Sequence, residues 1–182
     1  MKYKTLNQER DFDNQVVSLL NYSGLVLLAF ELIKDHIVVP IKSFYEDTIF
    51  SQSSPFATYE KDVLSRDKKE FMACLLYLRD FMEAIDGNDL ALIQELRDKR
   101  NLVAHRLTTL MDSFDVAEFT KLLVKSKDVL FELSNYRVRM EIGADPEFQG
   151  RGINWETIAS DEYFLFTRVL REIEGLSERL TS

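Results

Sequence analysis

The chain has little of what interrupts a helix and little of what cross-links a fold. Three prolines and six glycines in 182 residues leave few chain breaks, which favours long helices over strands joined by turns. The single cysteine, Cys74, cannot form an internal disulfide, and this indicates a reducing compartment. We interpret Cys74 as a core residue, because it lies on an apolar helical face.

Histidine is also scarce, and the common ligand and nucleotide motifs are missing. Two histidines, His36 and His105, without nearby cysteine ligands cannot make a convincing zinc site. Neither an EF-hand nor an HExxH spacing occurs, and there is no glycine-rich phosphate loop or dinucleotide fingerprint. The sequence therefore predicts no metal, no cofactor and no nucleotide enzyme of those classes.

Positive charge is in deficit. The chain has 23 Lys and Arg against 31 Asp and Glu, for a net charge of -8. This balance argues against a broad nucleic-acid surface, which basic patches normally supply, but leaves room for a small basic cleft. The most apolar run, residues 24–30, is seven residues long, whereas a membrane span needs about twenty. With no signal-like N-terminal segment, we expect a cytoplasmic protein that uses no membrane.

What is present is a helical, globular sequence, with 46% hydrophobic and 30% charged residues. Apolar residues at helical spacing predict helices over about 12–39, 67–85, 89–110, 115–140 and 162–180. Pro40 is expected to end the first of these, and residues 40–66, with a loop at 51–55, lose the helical period. The inner faces of the second and last helices are predicted to include Phe81 and Phe164.

Short turns between the middle helices imply antiparallel neighbours, so the predicted fold class is all-α, an up-and-down antiparallel helical bundle. Residues 1–142 would form the bundle. Residues 143–182 would add a loop and a C-terminal helix packed on it, within one compact domain. The last helix could equally widen a dimer interface. In the loop over 143–161, we expect Trp155 to anchor the chain to the bundle; a base-stacking role is the alternative.

The third predicted helix carries the run Arg100-Asn101-Leu102-Val103-Ala104-His105. A guanidinium can hold a phosphate with paired donors, and an imidazole can transfer protons near neutral pH. Asn101 and His105 lie one turn apart, so Asn101 can orient the ring. Arg100 lies about 140° from His105 around an ideal helix. Within one straight helix, therefore, Arg100 and His105 do not meet.

Since Arg100 and His105 do not meet within one helix, a site shared between two copies of the chain is one way to bring them together. Proton transfer gives a second reason to expect such a site. Cleaving RNA through its own 2′-hydroxyl needs a base for that proton and an acid for the leaving oxygen. One histidine in each chain supplies only one of these groups. Two motif helices facing each other across a twofold axis would place two histidines and two arginines around one phosphate. The sequence thus predicts a homodimer.

These residues resemble the motif of the HEPN family, whose ribonuclease members carry an arginine, usually a polar residue, and a histidine after a gap of four to six residues. Arg100, Asn101 and His105 fit the four-residue form, and the resemblance covers roughly residues 12–140. It implies a homodimeric, metal-independent endoribonuclease with its site at the dimer cleft. It also implies a toxin or antiviral, abortive-infection role, with an antitoxin or other regulatory protein as a further partner.

The site residues then have distinct expected roles. His105 would transfer protons, Arg100 would hold the scissile phosphate, and Asn101 would position the imidazole or a phosphate oxygen. The products would be a 2′,3′-cyclic phosphate and a 5′-hydroxyl. Arg97 and Arg106 are weaker candidates for RNA phosphate contacts, with solvated surface charges as the alternative.

A non-catalytic interpretation stays open, because an arginine and a histidine five positions apart occur by chance in many helical proteins. In that case Arg100 pairs with a nearby acid such as Asp98, and His105 is an interfacial residue. The protein would then be a helical binding or adaptor module that uses this surface for dimerisation or partner binding. His36, near the predicted end of the first helix, is expected to have a structural role there as a cation.

Overall fold

The computed structural model describes residues 6–47, 55–105, 115–143, 145–148 and 150–181. Within these ranges the chain forms six α-helices and no strand, so the predicted all-α class is confirmed. The helices are α1 (Leu6–Asp47), α2 (Pro55–Asp62), α3 (Glu70–Asp80), α4 (Gly87–His105), α5 (Val116–Ile142) and α6 (Asp161–Thr181). Two short 3-10 turns cover Leu64–Arg66 and Pro146–Phe148.

Helix α1 continues through Pro40, so the predicted end at this residue is wrong. A proline inside a helix lacks one backbone donor and costs roughly 3 kcal/mol. Here the buried face continues at four-residue spacing through Ile37, Ile41 and Tyr45. Burying two large side chains beyond the proline contributes about 1.5–3 kcal/mol each, which offsets the penalty.

Residues 40–66 are also more regular than the sequence predicts, since they include the end of α1, the whole of α2 and a 3-10 turn. Helix α2 begins at Pro55, the first helical position, where a missing N–H breaks no helical hydrogen bond. It is held by Tyr59, whose ring centroid lies 5.6 Å from that of Tyr45. Residues 51–54 of the predicted loop lie outside the described residues.

Helix α3 is shorter than the predicted span of 67–85. It ends at Asp80, and Glu83 has a φ of 52°, in the left-handed region that a continuing helix excludes. Phe81 therefore lies past the helix end and is exposed, not part of the inner face. Cys74 is fully buried, as predicted, and burial raises the pKa of its thiol.

Asp86 and Asp115 precede α4 and α5 and cap them. The Asp86 carboxylate accepts the backbone N–H groups of Asn88 and Asp89 at 2.6 and 2.9 Å. Asp115 accepts the N–H of Glu118 at 2.7 Å. The predicted inner face of α5 is buried throughout: Phe119, Leu122, Leu123, Val129, Leu130 and Leu133. Residues 106–110 of the predicted third helix lie outside the described part of the chain.

Neighbouring helices in the second half of the chain run antiparallel. Lys99 of α4 pairs with Glu118 near the start of α5, whereas the turn before α4 lies beside Glu132. Helix α6 returns along α5 and packs on both α5 and α1. Its residues Phe166, Leu170, Ile173 and Leu176 are buried as predicted, while Phe164 is exposed.

The loop after α5 is fastened through the backbone at Trp155. The carbonyl oxygen of Trp155 accepts hydrogen bonds from the amide of Asn135 at 2.6 Å and from Nη2 of Arg139 at 3.1 Å. The Trp155 ring itself is half-buried. The anchoring expected of this residue is thus made largely by its main chain.

Helix α1 includes a 31-residue stretch, Val16–Glu46, that contains an 18-residue window of mean hydropathy 1.9, which makes the helix apolar enough to cross a membrane by length and composition. The longest uninterrupted apolar run in the sequence does not reveal this, because scattered charges break the stretch. The same helix supplies Tyr22, Val26 and Ile33 to the core of the bundle, each fully buried. A cytoplasmic location stays a prediction.

Candidate active site

The motif lies on the last turns of α4, which packs against α1 and α5. The buried residues on the apolar side of that helix hold it in place: Leu90, Ile93, Leu96 and Val103. Arg100 and Asn101 are half-buried beside this apolar side, and His105, the last residue of α4, is exposed.

Arg100 is held at the contact between α4 and α1. Its Nη2 lies 2.5 Å from Oε1 of Glu31, and its guanidinium carbon lies 5.5 Å from the ring centroid of Phe30. Nη1 donates to Oδ1 of Asn101 at 3.3 Å. Arg100 thus pairs with an acid on another helix and not with Asp98, the neighbour considered from the sequence. About a quarter of its side chain (26%) remains exposed.

One donor of this guanidinium is left over. Among the residues that the structure describes, only two buried side-chain nitrogen or oxygen atoms have no hydrogen-bond partner in the protein, and Arg100 Nε is one of them. Leaving a buried donor unpaired costs roughly 1–3 kcal/mol. Arg100 is therefore fixed in position through Nη1 and Nη2, while its Nε is buried without a partner.

The structure brings Arg100 and Asn101 into contact, and His105 lies at the end of α4, one turn after Asn101. Asn101 uses its side-chain oxygen to accept from Arg100, whereas the sequence predicts that it orients the His105 ring. Arg100 and His105 project about 140° apart on an ideal helix. A single copy of α4 thus offers one anchored cation and one exposed imidazole on different faces.

The other basic residues around the motif also face acids. Arg97 lies 3.5 Å from Asp98, and Lys99 lies 3.0 Å from Glu118. Arg106, the second weak candidate for phosphate binding, lies outside the described residues. No broad basic patch therefore surrounds Arg100 within the described part of α4, in line with the net charge of -8.

The last turn of α4 is only partly covered: Val103 is buried, whereas Leu102 is 40% exposed. Leu96, one turn before Arg100, is fully buried, whereas Ala104, one turn after it, is exposed. On the neighbouring helix α1, Val17, Leu20 and Leu28 are about half exposed. These three α1 positions fall within about 80° of one another on an ideal helix, so they share one face.

The second histidine, His36, lies inside the bundle and not at a helix end, because α1 continues to Asp47. The predicted role as a cation at a helix C-terminus is wrong. Burial lowers the pKa of His36, and Arg137 lowers it further, while Glu162 and a hydrogen bond to the Leu130 backbone oppose the shift. The imidazole is therefore neutral at pH 7.

Comparison of the chain with family models, with curated proteins and with solved structures gave no match. The likeness to the HEPN family therefore depends on Arg100, Asn101 and His105 and on the helical fold. Glu31 and Phe30, which fix Arg100, carry no signal in the sequence, since they lie about seventy positions away. Their role depends on α1 packing beside α4.

Proposed function

We propose that this protein is a metal-independent endoribonuclease of toxin or antiviral-defence type, which cleaves RNA at a composite site between two copies of the chain. One observation carries the proposal. Arg100 is fixed by Glu31 and Phe30 with about a quarter of its side chain still exposed, and the exposed His105 lies on the same helix end. A positioned cation and an accessible imidazole are the groups that this reaction needs.

The reaction assigns a defined task to each group. One His105 accepts the proton of the 2′-hydroxyl, whose oxygen attacks phosphorus, and the P–O5′ bond breaks. A second His105, from the other copy, gives a proton to the leaving 5′-oxygen. Arg100 donates to the phosphate oxygens as negative charge grows on them. The products are a 2′,3′-cyclic phosphate and a 5′-hydroxyl.

The dimer in this proposal is supported by the incomplete set of catalytic groups and by the exposed apolar surface of the single chain. Each chain has one histidine in the motif, and Arg100 and His105 project to different faces of α4. The exposed residues Leu102, Ala104 and His105 at the end of α4 and the apolar face of α1 around Leu28 provide surface for a second copy. An antitoxin or regulatory protein could act by covering the same surface.

RNA cleavage in the presence of a chelator tests the proposal. Purified wild type should cleave structured and unstructured RNAs in EDTA, and His105→Ala should lower the rate by at least about a hundredfold, as expected for loss of a general acid–base group. Arg171→Ala, an exposed arginine on α6, is the control and should keep full activity. Because His105 is exposed, its variant should stay folded. Equal cleavage by wild type and His105→Ala would disprove the assignment.

A second candidate is a non-catalytic binding module, and the ion pair itself favours it. Arg100 is already engaged by Glu31 and Phe30, as a purely structural arginine would be. In that case clean wild type cleaves none of a diverse set of RNAs. Arg100→Ala would then lower the melting temperature, while His105→Ala would change neither stability nor RNA integrity.

A further inference from the structure

A groove separate from α4 opens among α1, α3 and α5. It has a volume of about 480 Å³, within the range of small-molecule sites. Its floor is apolar and well buried, formed by Ile37, Leu78 and Leu133. No residue that lines it belongs to α4, so it is independent of the motif.

The rim of this groove exposes large apolar side chains. Phe81 and Met140 are each 65% exposed and Phe44 is 55% exposed, and all three line the groove. They are among the most exposed large apolar side chains in the described part of the chain. Apolar side chains gathered around a concave surface are typical of a ligand site, whereas scattered ones need no explanation.

The polar groups on the groove walls are largely engaged with one another. The hydroxyl of Tyr45 donates to Tyr77 at 3.2 Å and lies 3.4 Å from Asp62. Arg137 lies 2.7 Å from Glu141, and its Nη1 is 3.6 Å from Glu162. The cation that an acidic ligand would need is thus already paired with carboxylates. The walls favour an uncharged ligand.

One polar group of the lining is both buried and unpaired. His36 is 7% exposed, and its Nε2 has no hydrogen-bond partner in the protein. Burial lowers the pKa of His36, so the ring is neutral. Because the ring is hydrogen-bonded to the backbone of Leu130 and Nε2 has no partner, we assign its one proton to Nδ1. Nε2 is therefore an acceptor, and a buried acceptor without a partner is unfavourable. Because His36 lines the groove, a ligand that moves the ring or its neighbours enough to reach Nε2 can supply the missing donor.

We propose that the groove binds a neutral, flat, apolar molecule that carries one hydroxyl or N–H donor, and that this donor bonds to Nε2 of His36. Aromatic walls and an exposed apolar rim accommodate the ring system. The unpaired acceptor selects for the donor, because a site built to pair one polar group discriminates against an analogue that lacks it.

Two probes of nearly equal shape test the proposal. 2-Naphthol carries a hydroxyl donor, and 2-fluoronaphthalene lacks a donor but has a similar size. Titration of each into the full chain, followed by amide chemical shifts, should give a dissociation constant at least about tenfold lower for 2-naphthol, the effect of one buried hydrogen bond. Equal affinities, or binding of neither probe, would overturn the proposal.

Two matched variants locate the binding. Phe81→Ala removes a rim ring that stacks on Tyr77 at 5.0 Å and should weaken both probes severalfold. Phe164→Ala removes another exposed ring, on α6, 5.8 Å from Tyr163 and outside the groove, and should change the affinity for neither probe. If the two variants behave alike, the probes bind elsewhere.

His36→Phe tests the acceptor itself. This variant keeps a ring at the position but removes the acceptor, so the tenfold preference for 2-naphthol should disappear while 2-fluoronaphthalene still binds. A preference that persists in a folded His36→Phe protein would overturn the role of Nε2. Should that variant not fold, Phe81→Ala and the two wild-type affinities still decide the proposal, because they need no change in the core.

Discussion

At the scale of single residues, Arg100 combines a structural and a chemical assignment. Its contacts to Glu31 and Phe30 join α4 to α1, and its partial exposure leaves it accessible to a phosphate. An ion pair between partly exposed groups contributes about 0.2–1 kcal/mol. A cation stacked on an aromatic ring adds roughly 0.5–1 kcal/mol. Both terms are small against the effect that a phosphate-binding arginine has on a reaction rate.

A substitution distinguishes the structural assignment of Arg100 from its chemical assignment. Arg100→Lys should lower the free energy of unfolding by less than about 1 kcal/mol, because the positive charge beside Glu31 is kept. RNA cleavage should still fall at least about tenfold, since an ammonium cannot give paired donors to a phosphate. Urea unfolding and RNA cleavage assays measure the two effects. Loss of stability without loss of cleavage would assign Arg100 to structure alone.

His36 makes stability depend on pH. Its pKa is lowered on folding, chiefly by burial, so between the folded value and about 6.5 the unfolded chain binds the proton and the folded chain does not. Stability is thus fully present above pH 6.5 and falls as the pH decreases through this window, by at most about 1.4 kcal/mol for each pH unit.

The measurement is urea unfolding of wild type and His36→Phe at several pH values between 5 and 7.5. The difference in unfolding free energy between the two proteins should change in favour of the variant as the pH falls, while Glu162 and Arg137 contribute to both. A difference that stays constant over this range would show that His36 does not titrate on unfolding.

At the scale of the elements, local sequence signals predict α4 and α5. They do not predict α2 or the last part of α1, which depend on tertiary contacts. The starts of α4 and α5 follow from capping aspartates beside them, and their inner faces follow from spacing. Helix α2 is eight residues long, too short for a clear period. The continuation of α1 past Pro40 depends on packing partners far away in sequence.

Pro40 should therefore weaken the helix that contains it. Pro40→Ala restores one backbone hydrogen bond and removes a clash of the ring with the preceding turn. Part of this gain is lost because alanine leaves the unfolded chain more flexible. We expect the free energy of unfolding to rise by about 1–2 kcal/mol in urea titrations. Val39→Ala, at an exposed neighbouring position, should stay within about 0.5 kcal/mol of wild type; a destabilised Pro40→Ala would contradict the prediction.

At the scale of the whole molecule, the candidate site was predictable only as a set of residues. Arg100, Asn101 and His105 are recognisable because they are neighbours in the sequence, and helix geometry gives their directions. The acid that fixes Arg100 and the groove beside His36 arise where distant helices meet. No local pattern encodes these contacts, because the apolar spacing of each helix is compatible with several ways of packing the helices together.

The dimer is the property of the whole molecule on which the proposed cleavage depends. Leu28, 47% exposed, lies on the apolar face of α1 that also carries Val17 and Leu20, and Glu31 of the same helix holds Arg100. A charge placed in the centre of an apolar interface is strongly unfavourable unless it is paired.

Leu28→Glu should therefore give a monomer of about 21.3 kDa in sedimentation equilibrium. RNA cleavage should fall by at least about a hundredfold, because each site would lose one of its two proton-transfer groups. Val124→Glu, at an exposed position on α5 beside α6, should keep both the dimer and the activity. A wild-type protein that cleaves RNA while sedimenting as a monomer would show that one copy of His105 is enough.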